Sequence, residues 1–344
     1  MTVRPETGWP QGEVVRLKHH SKILKGNVWN DPADRDLCVY LPAGYSETAD
    51  PYVSLWDFAA FTNAGPGHLN WRNHGENLPD RLDRLIANGD MPPVVVPMPD
   101  CYTSLGGNQY INSTAVGRYA DYVVQELVPF LSENLNVVAG RHGRGAFGKS
   151  SGGYGALVHA MYFPETWGGV AVHAGDIGFE WVYRPEFPRA AAMLSACKGD
   201  PIRFLKNFWA KKNPGSPDYS TLMTLAMAAS YDPPGKVSQS VIQLPFDIHT
   251  LELDKDRWQQ WLRHDPLNML ETHAQQLAAL ELLYIDVGSR DQYNIQYGSR
   301  TFVKRLNDLG IEHTYEEFDG THSGMDWRLD ISLPMLAKVL YMAS

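Results

Sequence analysis

The stretch Gly143–Gly155, GRGAFGKSSGGYG, constrains the fold more than any other part of the chain. It satisfies two incompatible patterns. From Gly143, GRGAFGKS is a G-x-x-x-x-G-K-[ST] phosphate loop, in which backbone amides and Lys149 hold phosphates and Ser150 ligates magnesium. From Gly148, GKSSG is a G-x-S-x-G elbow, a strand–turn–helix corner that presents Ser150 as a nucleophile. A phosphate loop needs a strand ending before Gly143 and a helix opening near Lys149. The preceding NVVAGRH is a poor strand, and the helix would carry Gly152, Gly153 and Gly155 in its first turns, each costing about 0.8–1.0 kcal/mol relative to Ala. LLYID, further along, resembles the hydrophobic-run-then-Asp partner of a phosphate loop, so a nucleotide-binding alternative using Gly143–Ser150 stays open. In the elbow reading every glycine but Gly143 gains a reason. RGAF is the strand, Gly148 and Gly152 are the small flanks, and Gly153 and Gly155 let the next helix pack close to the sheet. Physical economy favours the elbow.

The rest of the chain supplies the frame an elbow needs. Short β-branched or apolar runs (GEVVRLKH, RDLCVYLP, PYVSLW, PPVVVPMP, RGAF, GGVAVHAG, ELLYIDVG, HTYEEFD) read as strands. Helical patterns fall between them: DRLDRLIAN, a run carrying Ala120, Val124, Leu127, Leu131 and Leu135, YGALVHAMYF, GSRTFVKRLNDLG and SLPMLAKVLYM. Pro129 lies inside the second of these and is expected to kink it. This alternation predicts an α/β protein with a mostly parallel central sheet and helices on both faces. The region from about 176 to 278 breaks the rhythm and reads as a helical cap inserted in a single domain spanning 1–344. The 30 glycines and 23 prolines fit a chain with many turns.

Bulk properties exclude several classes. A formal net charge of −9 without a basic run gives no electrostatic reason to bind nucleic acid or an anionic membrane. Cys38, Cys101 and Cys197 are odd in number and lack metal or redox spacing, which implies structural thiols in a reducing compartment. No histidine cluster has ligand spacing, so no metal or cofactor is expected. With no apolar leader or membrane-length run, a cytoplasmic location is expected.

An elbow serine requires a base and an orienting acid in the chain order Ser, Asp/Glu, His. Asp291 follows strand ELLYIDVG in the loop SRDQYN, and His322 follows HTYEEFD in the loop GTHSGMDW. Both sit at strand carboxyl ends, where open parallel sheets gather their catalytic groups. The candidate triad is Ser150, His322 and Asp291. Asp286 is the alternative acid, but it lies inside the strand pattern; His313 lies at the wrong end of its strand. Lys149 is expected to point away from the cleft. Asp57, Asp100, Tyr102 and Gln109, after core strands, and Trp181 in the cap are candidate substrate contacts.

At this point the chain resembles the esterase D / putative esterase group of α/β-hydrolases, which also contains enterochelin esterases, feruloyl esterases and S-formylglutathione hydrolases. The carrying segments are RDLCVYLPAGY, VVVPMPD with QYINS downstream, YVVQELVPFLSENL, RGAFGKSSGGYGALVHAMYFPETWGGV and the Asp291 and His322 loops. The resemblance implies an α/β-hydrolase fold and serine hydrolysis of a small-molecule ester through an acyl-enzyme. It also implies an oxyanion hole of two backbone amides. One is that of Ser151. The other comes from LWDFAAF, where Asp57 stands at a His/Asp place and Phe58 replaces the usual glycine, leaving Phe58 or Ala59 as the donor. An inactive relative of the fold, acyl transfer in place of hydrolysis, and a homodimer are further readings left open.

Overall fold

The computed structural model describes residues 8–235 and 242–344. Apart from a short two-stranded ribbon (Asn112–Ser113 with Gly117–Arg118), its strands are β1 (Glu13–His20), β2 (Asp34–Leu41), β3 (Ser54–Phe58), β4 (Val96–Pro99), β5 (Arg144–Lys149), β6 (Gly169–His173), β7 (Leu282–Gly288) and β8 (Thr314–Phe318). One group runs β1-β2-β4 with antiparallel pairings, and another runs β3-β5-β6-β7-β8 in parallel. The Leu55 N–H donates to Val95 O at 2.9 Å and the Val95 N–H to Val53 O at 3.0 Å, so β4 joins β3 and the two groups form one twisted surface. The mostly parallel sheet is the one that the alternation of apolar runs and helical patterns implied, and it agrees with the α/β-hydrolase fold that the resemblance implied.

Strand composition follows position. β5 and β6 lie between neighbours and under helices, and every residue of β6 is buried. They read as unbroken apolar or small runs because both faces meet protein. Period-2 alternation assigns the faces: Ala146, Val170, Val172, Leu283 and Ile285 pack on one side, while Phe147, Ala171 and Tyr284 pack on the other. At the edge of the sheet β1 alternates between exposed and half-buried positions.

The helices that cover the sheet are α1 (Leu78–Ala87), α2 (the continuous run Tyr119–Asp121, Tyr122–Leu127 and Val128–Asn134) and α3 (Ser151–Tyr162). Asn77 opens α1, its side chain accepting from the Asp80 N–H. Pro129 does not kink α2 in the expected way. The Val128 N–H bonds back to Val123 O, so Tyr122–Leu127 widens into a π-helical turn that delivers Pro129 to the first turn of the next segment, where its missing N–H is no loss. Between β6 and β7 lie α4 (Phe187–Ala196), α5 (Pro201–Ala210), α6 (Ser216–Tyr231), α7 (Lys255–Leu262) and α8 (Pro266–Ala278); α8 packs back onto α3. α9 (Ile295–Asp308) and α10 (Leu329–Ala343) complete the order, α10 burying Leu333, Leu336 and Leu340 against the second face.

Candidate active site

β5 leads directly into α3, and Ser150 is the single residue between them. Its backbone sits at φ 57°, ψ −125°, a conformation that L residues rarely adopt. The corner is held from both sides. The Ser150 N–H donates to His173 O at 2.9 Å, and Ser150 O accepts from the Tyr154 N–H at 2.8 Å. Its glycines are obligatory on steric grounds. A Cβ on Gly152 would lie 1.8 Å from Phe58 O, and one on Gly148 would lie 2.4 Å from the same oxygen. Strand β3 and helix α3 therefore touch backbone to backbone, which is what an elbow requires.

The same geometry removes the phosphate-loop alternative. Arg144–Lys149 is a central strand paired with β3 on one side and β6 on the other, so its amides are spent in the ladders. A phosphate loop needs those amides free to face an anion.

The loops after β7 and β8 bring Asp291 and His322 together. His322 Nδ1–H donates to Asp291 Oδ2 at 2.8 Å, and both side chains are almost fully buried. The other Asp291 oxygen accepts from the Tyr293 N–H at 2.8 Å, while the His322 N–H donates to Gln292 Oε1 at 3.0 Å. The Tyr293 ring meets the imidazole edge-on, 4.9 Å between centroids. The ring is thus fixed in plane and tautomer, with Nε2 as its free nitrogen. Ser150 and His322 line one cavity of about 420 Å³, walled by Phe61 on one side and by Val182, Tyr219 and Met223 of the helical segment on the other. Asp286, the alternative acid, is absent from this cavity. It is fully buried under the sheet, accepting from His173 Nδ1–H at 2.8 Å and from Arg328 Nε–H at 2.7 Å.

The other sequence candidates are placed as follows. The Ser151 amide opens α3 beside Ser150. Phe58 is still within β3, in register with Gly148, and its ring stacks on Tyr110 at 4.5 Å; Ala60, Phe61 and Thr62 are the residues of the following loop that reach the cavity. Asp57 pairs with His68 and lines a second, adjoining cavity. Gln109 is buried and donates to Ser151 Oγ at 2.8 Å, one layer behind the elbow. Asp100 and Tyr102 line neither cavity. They hold Arg35, whose Nη1 donates to Asp100 Oδ2 at 3.3 Å and to Tyr102 O at 2.8 Å. Trp181, largely at the surface, also lines neither cavity.

Two residues at the site were missed or misplaced by sequence reasoning. Lys149 does not turn away; it lines both cavities. Asp176 follows β6 closely, at the carboxyl end of a core strand, which is the signal that could have found it. Its Oδ1 accepts from Ser150 Oγ–H at 3.5 Å, and its Oδ2 from Ser151 Oγ–H at 3.4 Å and Tyr183 O–H at 2.8 Å. Burial pushes its pKa up to about 6, against the opposing pull of the Tyr183 hydroxyl. The folded chain therefore keeps a proton that the unfolded chain releases in the ordinary carboxylate range, and stability falls as pH rises from that range to about 6. Asp176→Asn should be more stable than the wild type at pH 8 by about 1–3 kcal/mol. Urea melts at pH 4 and pH 8 check this: the gain should disappear at pH 4, and a gain of equal size at both would contradict the assignment.

Residues 32–336 match the model of the family described as "Putative esterase". Among solved structures, the chain is similar to a ferulic acid esterase (17% identity, 96% of this chain and 99% of that one, TM-score 0.61). It is also similar to the fluorophosphonate-binding serine hydrolase F of Staphylococcus aureus (15% identity, 97% and 99%, TM-score 0.57). A third similar structure is an S-formylglutathione hydrolase from Agrobacterium tumefaciens (17% identity, 98% and 99%, TM-score 0.56). At these identities the likeness is one of fold.

Proposed function

This chain belongs to the Esterase family, and on that premise we propose that it hydrolyses small-molecule carboxylic esters through an acyl-enzyme formed on Ser150. The observation that carries the residue assignment is the single cavity shared by a strained elbow serine and a histidine whose Nδ1–H is locked onto Asp291 at 2.8 Å. In this reading His322 Nε2 takes the Ser150 proton as Oγ attacks the carbonyl carbon. The same nitrogen then gives that proton to the leaving oxygen, and afterwards activates the water that cleaves the acyl-enzyme. Asp291 fixes the tautomer and stabilises the imidazolium. The Ser151 amide, at the positive end of α3, faces the developing oxyanion, and the chain that leaves β3 at Phe58 and Ala59 supplies the second donor. Asp176, held by Tyr183, is the resting partner of the Ser150 hydroxyl, which turns to His322 when an ester enters.

The helical segment between β6 and β7 acts as the cap over the acyl side, because its Val182, Tyr219 and Met223 wall the cavity. A reducing, cytoplasmic setting fits three buried free cysteines. Among the described residues no helix is long and apolar enough to cross a membrane.

A fluorophosphonate probe, followed by mass mapping of the adduct, tests the reading without knowledge of the natural ester. The expected adduct is on Ser150, and His322→Ala should slow labelling by at least about a hundredfold, as loss of a general base does. An adduct elsewhere, or labelling unaffected by His322→Ala, would remove the assignment.

A further inference from the structure

Resting on that esterase reading, we propose that Asp176 selects the acyl half of the substrate: the site takes esters of α-hydroxy acids, whose hydroxyl donates to Asp176 Oδ1 in place of the Ser150 hydroxyl. Asp176, Ser150 and His322 line the same cavity of about 420 Å³. Asp176 is only 4% exposed, and the cavity is where a ligand meets it.

Its two oxygens are unequally served. Oδ2 accepts from Tyr183 O–H at 2.8 Å and from Ser151 Oγ–H at 3.4 Å. Both donors are themselves held. The Tyr231 hydroxyl lies 3.2 Å from that of Tyr183, and Gln109 Nε2–H donates to Ser151 Oγ at 2.8 Å, which leaves the Ser151 proton for Asp176. These contacts fix the plane of the carboxyl group and the direction of Oδ1. Among the described residues Oδ1 accepts only from Ser150 Oγ–H, at 3.5 Å, longer than an ordinary O–H···O bond. Burial raises the Asp176 pKa to about 6, so at pH 8 the group is a carboxylate and Oδ1 can only accept. Its one donor is lost in the reaction, because Ser150 must turn its proton to His322 before Oγ attacks. A buried carboxylate oxygen stripped of its donor is unfavourable. A substrate that brings a donor of its own offsets that cost when it arises.

Covalent geometry decides which half of the ester carries the donor. In the acyl-enzyme a substituent on the α-carbon is three bonds from Ser150 Oγ, about 3 Å away. Asp176 Oδ1 is 3.5 Å from the same oxygen, so the two can meet at an ordinary hydrogen-bond distance. A hydroxyl on the alcohol half is at least two bonds further from Oγ and departs with the leaving group. Charge decides what the donor is. Lys149 lines this cavity, as does Arg189, whose charge is matched by Glu186 at 2.8 Å. An α-ammonium would meet the like charge of Lys149, whereas a neutral hydroxyl replaces the Ser150 hydroxyl like for like.

Phenyl esters of a common alcohol and varied acyl group test this at pH 8: both enantiomers of phenyl lactate, both of phenyl 2-methoxypropionate, and phenyl propionate. Each kcat/KM is divided by the rate of hydroxide hydrolysis, which removes the inductive effect of the α-oxygen. The better lactate enantiomer should exceed propionate by roughly tenfold to a hundredfold, the range of a hydrogen bond to a charged group. The methyl ether, which cannot donate, should show no such gain. In Asp176→Asn, Tyr183 and Ser151 hold the amide oxygen at the place of Oδ2, so the amide nitrogen takes the place of Oδ1. A donor then faces the α-oxygen, and the variant should no longer distinguish hydroxyl from methyl ether. Equal corrected values for lactate and propionate in the wild type would overturn the proposal without recourse to any variant. A lactate preference over the methyl ether that survives Asp176→Asn would do the same, as would a larger corrected value for phenyl alaninate than for either lactate. If Ser150 takes no fluorophosphonate and phenyl propionate is not hydrolysed, the esterase reading itself fails and this proposal falls with it.

Discussion

Replacing Ser150 by Ala is expected to lower ester hydrolysis by roughly 10⁴–10⁶-fold, the scale on which loss of a triad nucleophile acts, while the fold stays intact. The expectation has a conformational half as well. Ser150 is held at φ 57° because its carbonyl begins α3 and its amide is tied to His173 O. Alanine must adopt the same strained backbone, so Ser150→Ala should melt close to the wild type. Glycine adopts it freely, so Ser150→Gly should be more stable by about 1–3 kcal/mol and as inactive as the alanine variant. Activity and stability moving in opposite directions is the signature of strain held at a working position. The measurements are kcat/KM for an activated aryl ester and urea midpoints for the three proteins. Substantial residual hydrolysis by Ser150→Ala would end the nucleophile assignment. A Ser150→Gly variant no more stable than the wild type would show that the corner stores no strain.

The parts of this architecture that could be read from the sequence are those in which burial leaves a compositional trace. The core strands are apolar runs because helices cover both of their faces, and the elbow glycines are visible because a Cβ on Gly152 would strike Phe58 O. The parts that could not be read depend on where one side chain meets another. Asp57 and Phe58 look like the start of a loop, since aspartate disfavours strands. Asp57 is nevertheless kept in β3, fully buried, by its pairing with His68 from the turn that follows the strand. The direction of Lys149 is hidden in the same way: at a sharp corner the alternation of a strand no longer says which cavity a side chain enters. Asp176 was visible as a residue at a strand end, but its contact with the elbow serines depends on Tyr183 turning back from the helical segment to hold it.

Asp286 and Asp291 lie on the same strand and its loop, and exchanging each for Asn should separate folding from chemistry. Asp286 accepts from His173 and from Arg328, and Arg328 also bonds Glu316 from β8. Burial alone would raise the Asp286 pKa, but His173 and Arg328 hold it below the ordinary carboxylate value. A carboxylate with a depressed folded pKa adds stability that is present above its unfolded pKa and is lost as pH falls through the folded one. Asp286→Asn would leave the buried Arg328 guanidinium without its buried counter-charge, with only the partly exposed Glu316 still paired to it, so a loss of about 3–5 kcal/mol is expected at neutral pH, shrinking toward acid. The remaining folded protein should still hydrolyse ester, because Asp286 lines neither cavity. Asp291→Asn should behave in the opposite way. Its backbone contacts through Oδ1 can persist in an amide, so the melt should change little, while kcat drops by roughly 10⁴-fold as His322 loses its fixed tautomer. Parallel urea melts and initial rates on the two variants measure both quantities. A stable, inactive Asp286→Asn beside an active Asp291→Asn would reverse the assignment, placing the orienting acid inside the sheet, where the His173–Asp286–Arg328 cluster instead supports the strand beneath the elbow.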